Sequence, residues 1–270
     1  MSRFSKERIV EELAEEAIVG LCQNMVQIPS DNPPGDTSDL GSFIKSYIED
    51  HGGEVELYEP KEGIVNIVSS SGKGHPNIIL NGHLDQFPSE VGERWTVDPY
   101  GGAIQDGYLY GRGSGDMKGG LASLLYCYVK LLDHEHPGKV LFIGTSDEET
   151  GGLWGAHWLL NNLKGLDGDA VLNGEPSGLS VRIGEKSRVP IKLRAQGKAA
   201  HGSFAGYVGE NAIMKLVNAL PSVQALNGME PELSPEEEEL TAKAMRGYER
   251  QYGKTKKNMR NNENLHKRIP

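Results

Sequence analysis

Apolar residues recur about every fourth position near the start of the chain, at Ile9, Leu13, Ala17, Leu21 and Met25, with acids between them. This spacing predicts an amphipathic helix over residues 5–27, capped by Ser5 and ended before Pro29. Asp31-Asn32-Pro33-Pro34-Gly35 reads as a loop, and a second helix is expected over residues 37–50, begun by Thr37 or Ser38 and closed by Gly52-Gly53. The pattern then shortens. Val55 to Tyr58, Ile64 to Val68, Asn77 to Leu80, Val140 to Gly144 and Ala170 to Leu172 are brief apolar runs punctuated by glycine, each expected to be a strand. Helical patterns intervene from Lys118 or Gly119 to about Asp133 and near Trp154 to Leu163. Repeated strand–loop–helix units predict an α/β layered fold.

The pattern changes near residue 181. Val189 to Ala195 reads as a strand and Asn211 to Leu220 as a helix, the start of a smaller second domain joined around residues 180–188. Past Pro221 the apolar periodicity fades. Pro231, Pro235 and the acids of Glu236 to Glu239 predict a loop and a charged helix, and residues 254–270 hold six Lys or Arg against one Glu, a solvated tail.

Composition narrows the function. The 270 residues carry a formal net charge of −10, which disfavours nucleic acid and anionic membranes as partners. No apolar run approaches the roughly 20 residues needed to span a bilayer, and the first residues lack the apolar core of a secretory signal. Two cysteines cannot build a disulfide framework, so a reducing, cytoplasmic setting is expected.

Chemistry gathers at the ends of the apolar runs. His83 and Asp85 follow one of them. Two apart on extended backbone, they point the same way, as suits a carboxylate that orients a metal-ligating imidazole; a hydrogen-bonded surface turn is the other reading. Asp116, within Gly111-Arg112-Gly113-Ser114-Gly115-Asp116-Met117-Lys118-Gly119-Gly120, stands before a helix, where it could cap the helix or bridge two cations. The stretch lacks the Gly-Lys-Ser/Thr ending of a phosphate-binding loop, since Gly119 follows Lys118, and its glycine spacing does not match the dinucleotide-binding fingerprint. Asp147, Glu148 and Glu149 are three adjacent acids after a buried strand; a surface turn, or more strongly a dication, would offset their repulsion, and adjacent glutamates can divide metal binding and proton transfer. Glu175 again follows a strand, in Asn173-Gly174-Glu175-Pro176-Ser177, and His201 lies in Ala199-Ala200-His201-Gly202-Ser203, where a structural histidine is the simpler reading. Acids and histidines at successive strand ends point to a metal-dependent hydrolase.

The ordered set GHLDQFP at 82–88, WTVDPYGGAIQDGYLYGRGSGDMKGG at 95–120, SDEETGG at 146–152, NGEPSG at 173–178, GKAAHGS at 197–203 and GENAI at 209–213 resembles the M20 family of zinc aminopeptidases and amidohydrolases. That family includes acetylornithine deacetylase, succinyl-diaminopimelate desuccinylase, aminoacylase and carboxypeptidase G. The resemblance implies a zinc-exopeptidase-like catalytic domain over 1–185, a mixed sheet flanked by helices. It further implies part of an α+β ferredoxin-like lid over 186–222, with a charged tail over 223–270. It implies that His83 and Glu175 bind one zinc, Glu149 a second, and Asp116 both, with cobalt or manganese as alternatives. Asp85 would orient His83, Glu148 would be the general base, and His201 would stabilise the oxyanion. The substrates implied are N-acyl amino acids or short peptides, cleaved at an amide bond.

Two departures accompany the resemblance. Family members are typically longer, and their last zinc ligand is a histidine of a C-terminal segment. His266 has no strand or glycine-rich site around it and is not expected to replace that ligand. Phe204-Ala205-Gly206 stands where a proline-containing stretch is expected. The expectation is therefore a chain of weak activity alone, acting as a homodimer through its lid or complemented by a C-terminal segment. The alternative is an inactive remnant that binds zinc or a partner chain.

Overall fold

Alternation along the central strands decides the layering. A computed structural model describes residues 13–89, 95–178, 180–182, 191–226 and 233–252. The chain divides into two compact units, residues 1–179 and 180–270.

In the first unit, α1 (Glu15–Val26) and α2 (Ser38–Asp50) precede β1 (Val55–Lys61), β2 (Ile64–Lys73) and β3 (Asn77–His83). A small hairpin, β4 (Ala103–Gln105) and β5 (Tyr108–Tyr110), leads to a distorted turn, Ser114–Lys118, which opens α3 (Gly119–Leu132). Then come β6 (Gly138–Thr145), a single 3-10 turn (Glu148–Thr150), α4 (Ala156–Asn162) and β7 (Ala170–Asn173). The sheet order is β1-β2-β6-β3-β7. β1, β2 and β6 pair antiparallel, whereas β6, β3 and β7 run parallel, so the sheet is mixed.

Leu80 and Phe142 face the larger core, packed with Leu21, Met25, Ile44 and Leu125 from the three helices α1, α2 and α3. Their neighbours Ile79, Leu141 and Ile143 point to the opposite face, against Leu159 and Leu166. Both faces of these strands are covered, which is why they read as continuous apolar runs. The three parallel strands end together, and His83, the acids after Thr145 and the segment after Asn173 emerge on one edge of the sheet. The layered α/β expectation is met, with most strands longer than the apolar runs that signalled them. α1 begins at Glu15, after an extended Ala14, later than the start expected at residue 5; Ser5 and Ile9 lie outside the described residues.

One close approach sets the position of Glu175. Gly120, at the start of α3, lies against the segment after β7, and a Cβ there would stand 1.9 Å from the carbonyl oxygen of Gly174. Both parties are backbone, so neither can rotate away. Gly120→Ala is expected to destabilise the unit by about 1–3 kcal/mol, the usual cost of overpacking, and to displace Glu175. Denaturant unfolding and metal titration of the variant check both effects.

In the second unit, Lys198 and Glu210 form an antiparallel bridge. They are followed by α6 (Ala212–Ala225), after the short α5 (Ala205–Val208). Asn211 caps α6 by accepting hydrogen bonds from the N–H groups of Ile213 and Met214. The helix runs through Pro221 instead of ending before it. Residues 191–195 form no strand, against expectation: their alternation has no ladder partner among the described residues, and Ile191 and Leu193 are exposed. The charged helix expected after Pro235 is present as α7 (Pro235–Tyr252). The basic tail and His266 lie outside the described residues. No helix among the described residues is long and apolar enough to cross a membrane.

Candidate metal centre

His83 is the last residue of β3, and its side chain is 1% exposed. Its Nδ1 lies 2.8 Å from the backbone carbonyl of Asp85. A carbonyl only accepts, so Nδ1 carries the hydrogen and Nε2 faces the site. Three carboxylates gather at Nε2: Asp116 Oδ1 at 3.0 Å, Glu175 Oε1 at 3.5 Å and Glu148 Oε2 at 3.9 Å. Burial pushes the imidazole pKa down, but Asp85, Glu175, Asp116 and Glu148 outweigh it and the net shift is upward.

Asp85 is fully buried, and its carboxylate lies 3.6 Å from His83 Nδ1, beyond hydrogen-bond reach. Its oxygens instead accept from the N–H of Glu148 (3.2 Å), the N–H of Glu149 (3.1 Å) and Asn32 Nδ2 (2.8 Å). Asp85 thus holds His83 through its main chain and the glutamate-bearing turn through its side chain. That turn opens at Asp147, which is buried and left-handed at φ 68°. Burial raises the Asp147 carboxyl, but hydrogen bonds from Thr150, the Trp154 N–H and Asn32 hold it below the usual carboxylate range. Asp147 is therefore a structural acid; Glu148 and Glu149 are the ones that face outward.

Asp116 projects from the distorted turn before α3. That turn is tied down by Lys118, which is fully buried and donates from Nζ to the carbonyls of Met25 (3.0 Å) and Ile28 (2.8 Å) at the end of α1. Burial pulls the Lys118 ammonium down to about 7, against the opposing pull of Asp31 and Cys22.

Two donor sets result. His83, Glu148 and Glu175 form one, and His83, Asp116 and Glu149 the other, each with ligand atoms within 4.8 Å of one another. One imidazole and four carboxylates in such proximity fit a pair of dications, which would neutralise charges that otherwise repel. The repulsion is visible at Glu149, whose carboxyl is pushed up to about 7, first by burial and then by the charge of Asp116. A cavity of about 220 Å³ opens beside Asp116 and Glu149, bordered by Phe87, Trp95 and Arg112. It is smaller than the ~300–1,000 Å³ usual for small-molecule sites.

The raised Glu149 group has a consequence for the metal-free chain. Folded, it keeps its proton between its ordinary value of 4.5 and about 7, where an unfolded chain releases it. Its contribution to stability therefore falls as pH rises through that window. Unfolding of chelator-treated protein should show this slope, and Glu149→Gln should flatten it.

The residues expected at the metal site from sequence, His83, Asp85, Asp116, Glu148, Glu149 and Glu175, share this one edge of the sheet. His201 belongs to the second unit, exposed, with Nδ1 2.8 Å from Ser203 Oγ. Asn32 and Lys118 carry no sequence signal as site residues. Asn32 sits in a proline-rich loop with no periodic signal, and Lys118 reads in sequence only as the possible start of a helix.

Comparison with known proteins agrees with this geometry. The pattern of Peptidase family M20/M25/M40 matches residues 79–264. The succinyl-diaminopimelate desuccinylase of Rhodospirillum centenum is 31% identical over 217 residues, 75% of this chain and 55% of that protein. That of Wolinella succinogenes is 32% identical over 197 residues, 70% of this chain and 51% of that protein. The chain thus spans about half the length of these curated relatives. Among solved structures, an M20 family metallo-carboxypeptidase from Sulfolobus solfataricus superposes with a TM-score of 0.62 at 19% identity, over 90% of this chain and 60% of that one. Human carnosine dipeptidase 1 superposes with a TM-score of 0.54 at 20% identity, over 80% of this chain and 52% of that one. At such identities these structures speak for the fold alone. The family pattern covers more than half of the chain and includes the strand ends that carry His83, Glu148, Glu149 and Glu175, and on that ground the chain belongs to Peptidase family M20/M25/M40.

Proposed function

We propose that this chain forms the metal-binding part of a dinuclear zinc hydrolase that cleaves the amide bond of N-acyl amino acids or short peptides. The observation that carries the reading is the convergence of one buried imidazole and four carboxylates on two overlapping donor sets. Imidazole and carboxylate suit zinc, with cobalt and manganese as substitutes. In this reading His83 and Glu175 hold one ion, Glu149 the other, and Asp116 reaches both. Bound zinc would supply a water of lowered pKa and polarise the scissile carbonyl. Glu148 takes the proton of the attacking water and returns it to the leaving nitrogen. Asp85 keeps His83 in one tautomer through its carbonyl.

The finer assignments follow the same reading. Residues 1–185 belong to the catalytic domain, 186–222 to a ferredoxin-like lid and 223–270 to a charged tail. His201 would stabilise the oxyanion. The active form would be a cytoplasmic homodimer joined through the lid, or a chain complemented by a C-terminal segment. Because the curated relatives are named as desuccinylases, N-succinyl amino acids are the first substrates to assay, followed by dipeptides.

Elemental analysis of monodisperse protein tests the core of this reading. Two zinc ions per chain, with turnover of an N-acyl amino acid, are expected. No zinc above background would overturn it. A second reading is favoured by the fact that His83 is the only histidine in either donor set among the described residues. In that reading the chain binds zinc or a partner chain without turning substrate over, and zinc binding without activity would select it.

A further inference from the structure

Asn32 reaches across the fold to the metal centre without contributing a ligand. It lies in the loop after α1, is 3% exposed, and meets partners 53 and 115 residues away in sequence. Its backbone is fixed independently of its side chain. The Asn32 N–H donates to the carbonyl of Gln86 (2.8 Å), the Gln86 N–H to that of Ser30 (3.0 Å), and Ser30 Oγ to that of Leu84 (2.7 Å). These bonds lay the loop alongside the chain that leaves β3, at the level of Asp85.

The side chain then meets three acceptors. Nδ2 lies 2.8 Å from Asp85 Oδ2, 3.2 Å from Thr150 Oγ1 and 3.4 Å from Asp147 Oδ1. Asp85 and Asp147 are both buried carboxylates, and both accept from this one amide nitrogen. Without its hydrogens each of these buried carboxylates would lose a donor, a loss that burial makes costly. Asp85 also receives the amides of Glu148 and Glu149. A continuous path therefore runs from Asn32 through Asp85 to the backbone of both glutamates.

We infer that Asn32 is a positioning residue: its carboxamide locks the segment after β3 to the turn after β6, and so sets Glu148 and Glu149 at their distances from His83. This rests on the proposed metal site for its purpose, but not for its test. Only a neutral side-chain donor of this length serves. Aspartate would add a third carboxylate to the pair, and leucine, of similar shape, would offer no hydrogen.

The experiment compares Asn32→Leu and Asn32→Asp with the unaltered chain by hydrogen exchange, read on the peptide containing residues 147–150 and on β6. Both variants should exchange the amides of that turn roughly tenfold or more faster, Asn32→Asp the faster of the two, while β6 keeps its protection. Zinc affinity should fall about 10–100-fold, as when a partner that orients metal ligands is lost. Unchanged exchange in the turn overturns the inference. So does acceleration spread evenly over the first unit, which would make Asn32 an ordinary packing residue. Failure of the unaltered chain to bind zinc would count against the proposed function alone, because the exchange pattern still decides the role of Asn32.

Discussion

Glu148→Gln should lower turnover of an N-acyl amino acid by roughly 10²–10⁴-fold, the range attributable to a positioned general base, while zinc per chain stays the same. Glutamine keeps the shape of the side chain and an oxygen that can coordinate, but it cannot accept the proton of the attacking water. The turn is not expected to move, because it is the backbone N–H of Glu148 that Asp85 holds, and this survives the substitution. The side chain is 54% exposed, and so can meet substrate from solvent. Glu148 also lies within one donor set, with His83 and Glu175. Zinc content measured on the same preparation separates the two roles. Activity lost with metal retained identifies the base; activity and metal lost together make Glu148 a ligand. A rate within about tenfold of the unaltered protein would remove Glu148 from the proton transfer altogether.

The site was legible in sequence because its residues follow apolar runs. β3 ends at His83, β6 runs into Asp147-Glu148-Glu149 and β7 into Glu175, and in a parallel arrangement such ends share an edge. What sequence spacing could not carry is the division of labour within that edge. Asp85, two residues from His83, invited the reading of a carboxylate on an imidazole. In the fold its side chain turns to the amides of another loop, and its carbonyl meets the imidazole instead. Asp147 looked like its two neighbours, yet its left-handed backbone turns it inward as the hydrogen-bonded foundation of their turn. Asn32 and Lys118 act across more than 50 residues of chain, a separation at which periodicity says nothing. The strand order, with β6 inserted between β2 and β3, is likewise a property of three-dimensional pairing rather than of local pattern.

His83→Ala should remove most of the stabilisation that zinc confers. The imidazole is the one group shared by both donor sets, and its Nε2 is turned toward the carboxylates by the hydrogen bond at Nδ1. His83 is also among the groups that hold the Glu149 carboxyl down, so its removal leaves the acids of the site less offset. The loss of a direct ligand should exceed the roughly 10–100-fold that losing an orienting partner costs. At a free zinc concentration 100 times its dissociation constant, the unaltered chain gains about 2.7 kcal/mol in unfolding free energy. A variant binding 100-fold more weakly would gain only about 0.4 kcal/mol at the same zinc by the same relation. The substitution also leaves a cavity beside β3, so the two proteins differ in stability before any metal is added. The comparison is therefore made within each protein, with and without zinc, and the cavity cancels. An equal zinc-induced shift in both would place the bound metal away from His83 and remove the geometric basis of the proposed hydrolase.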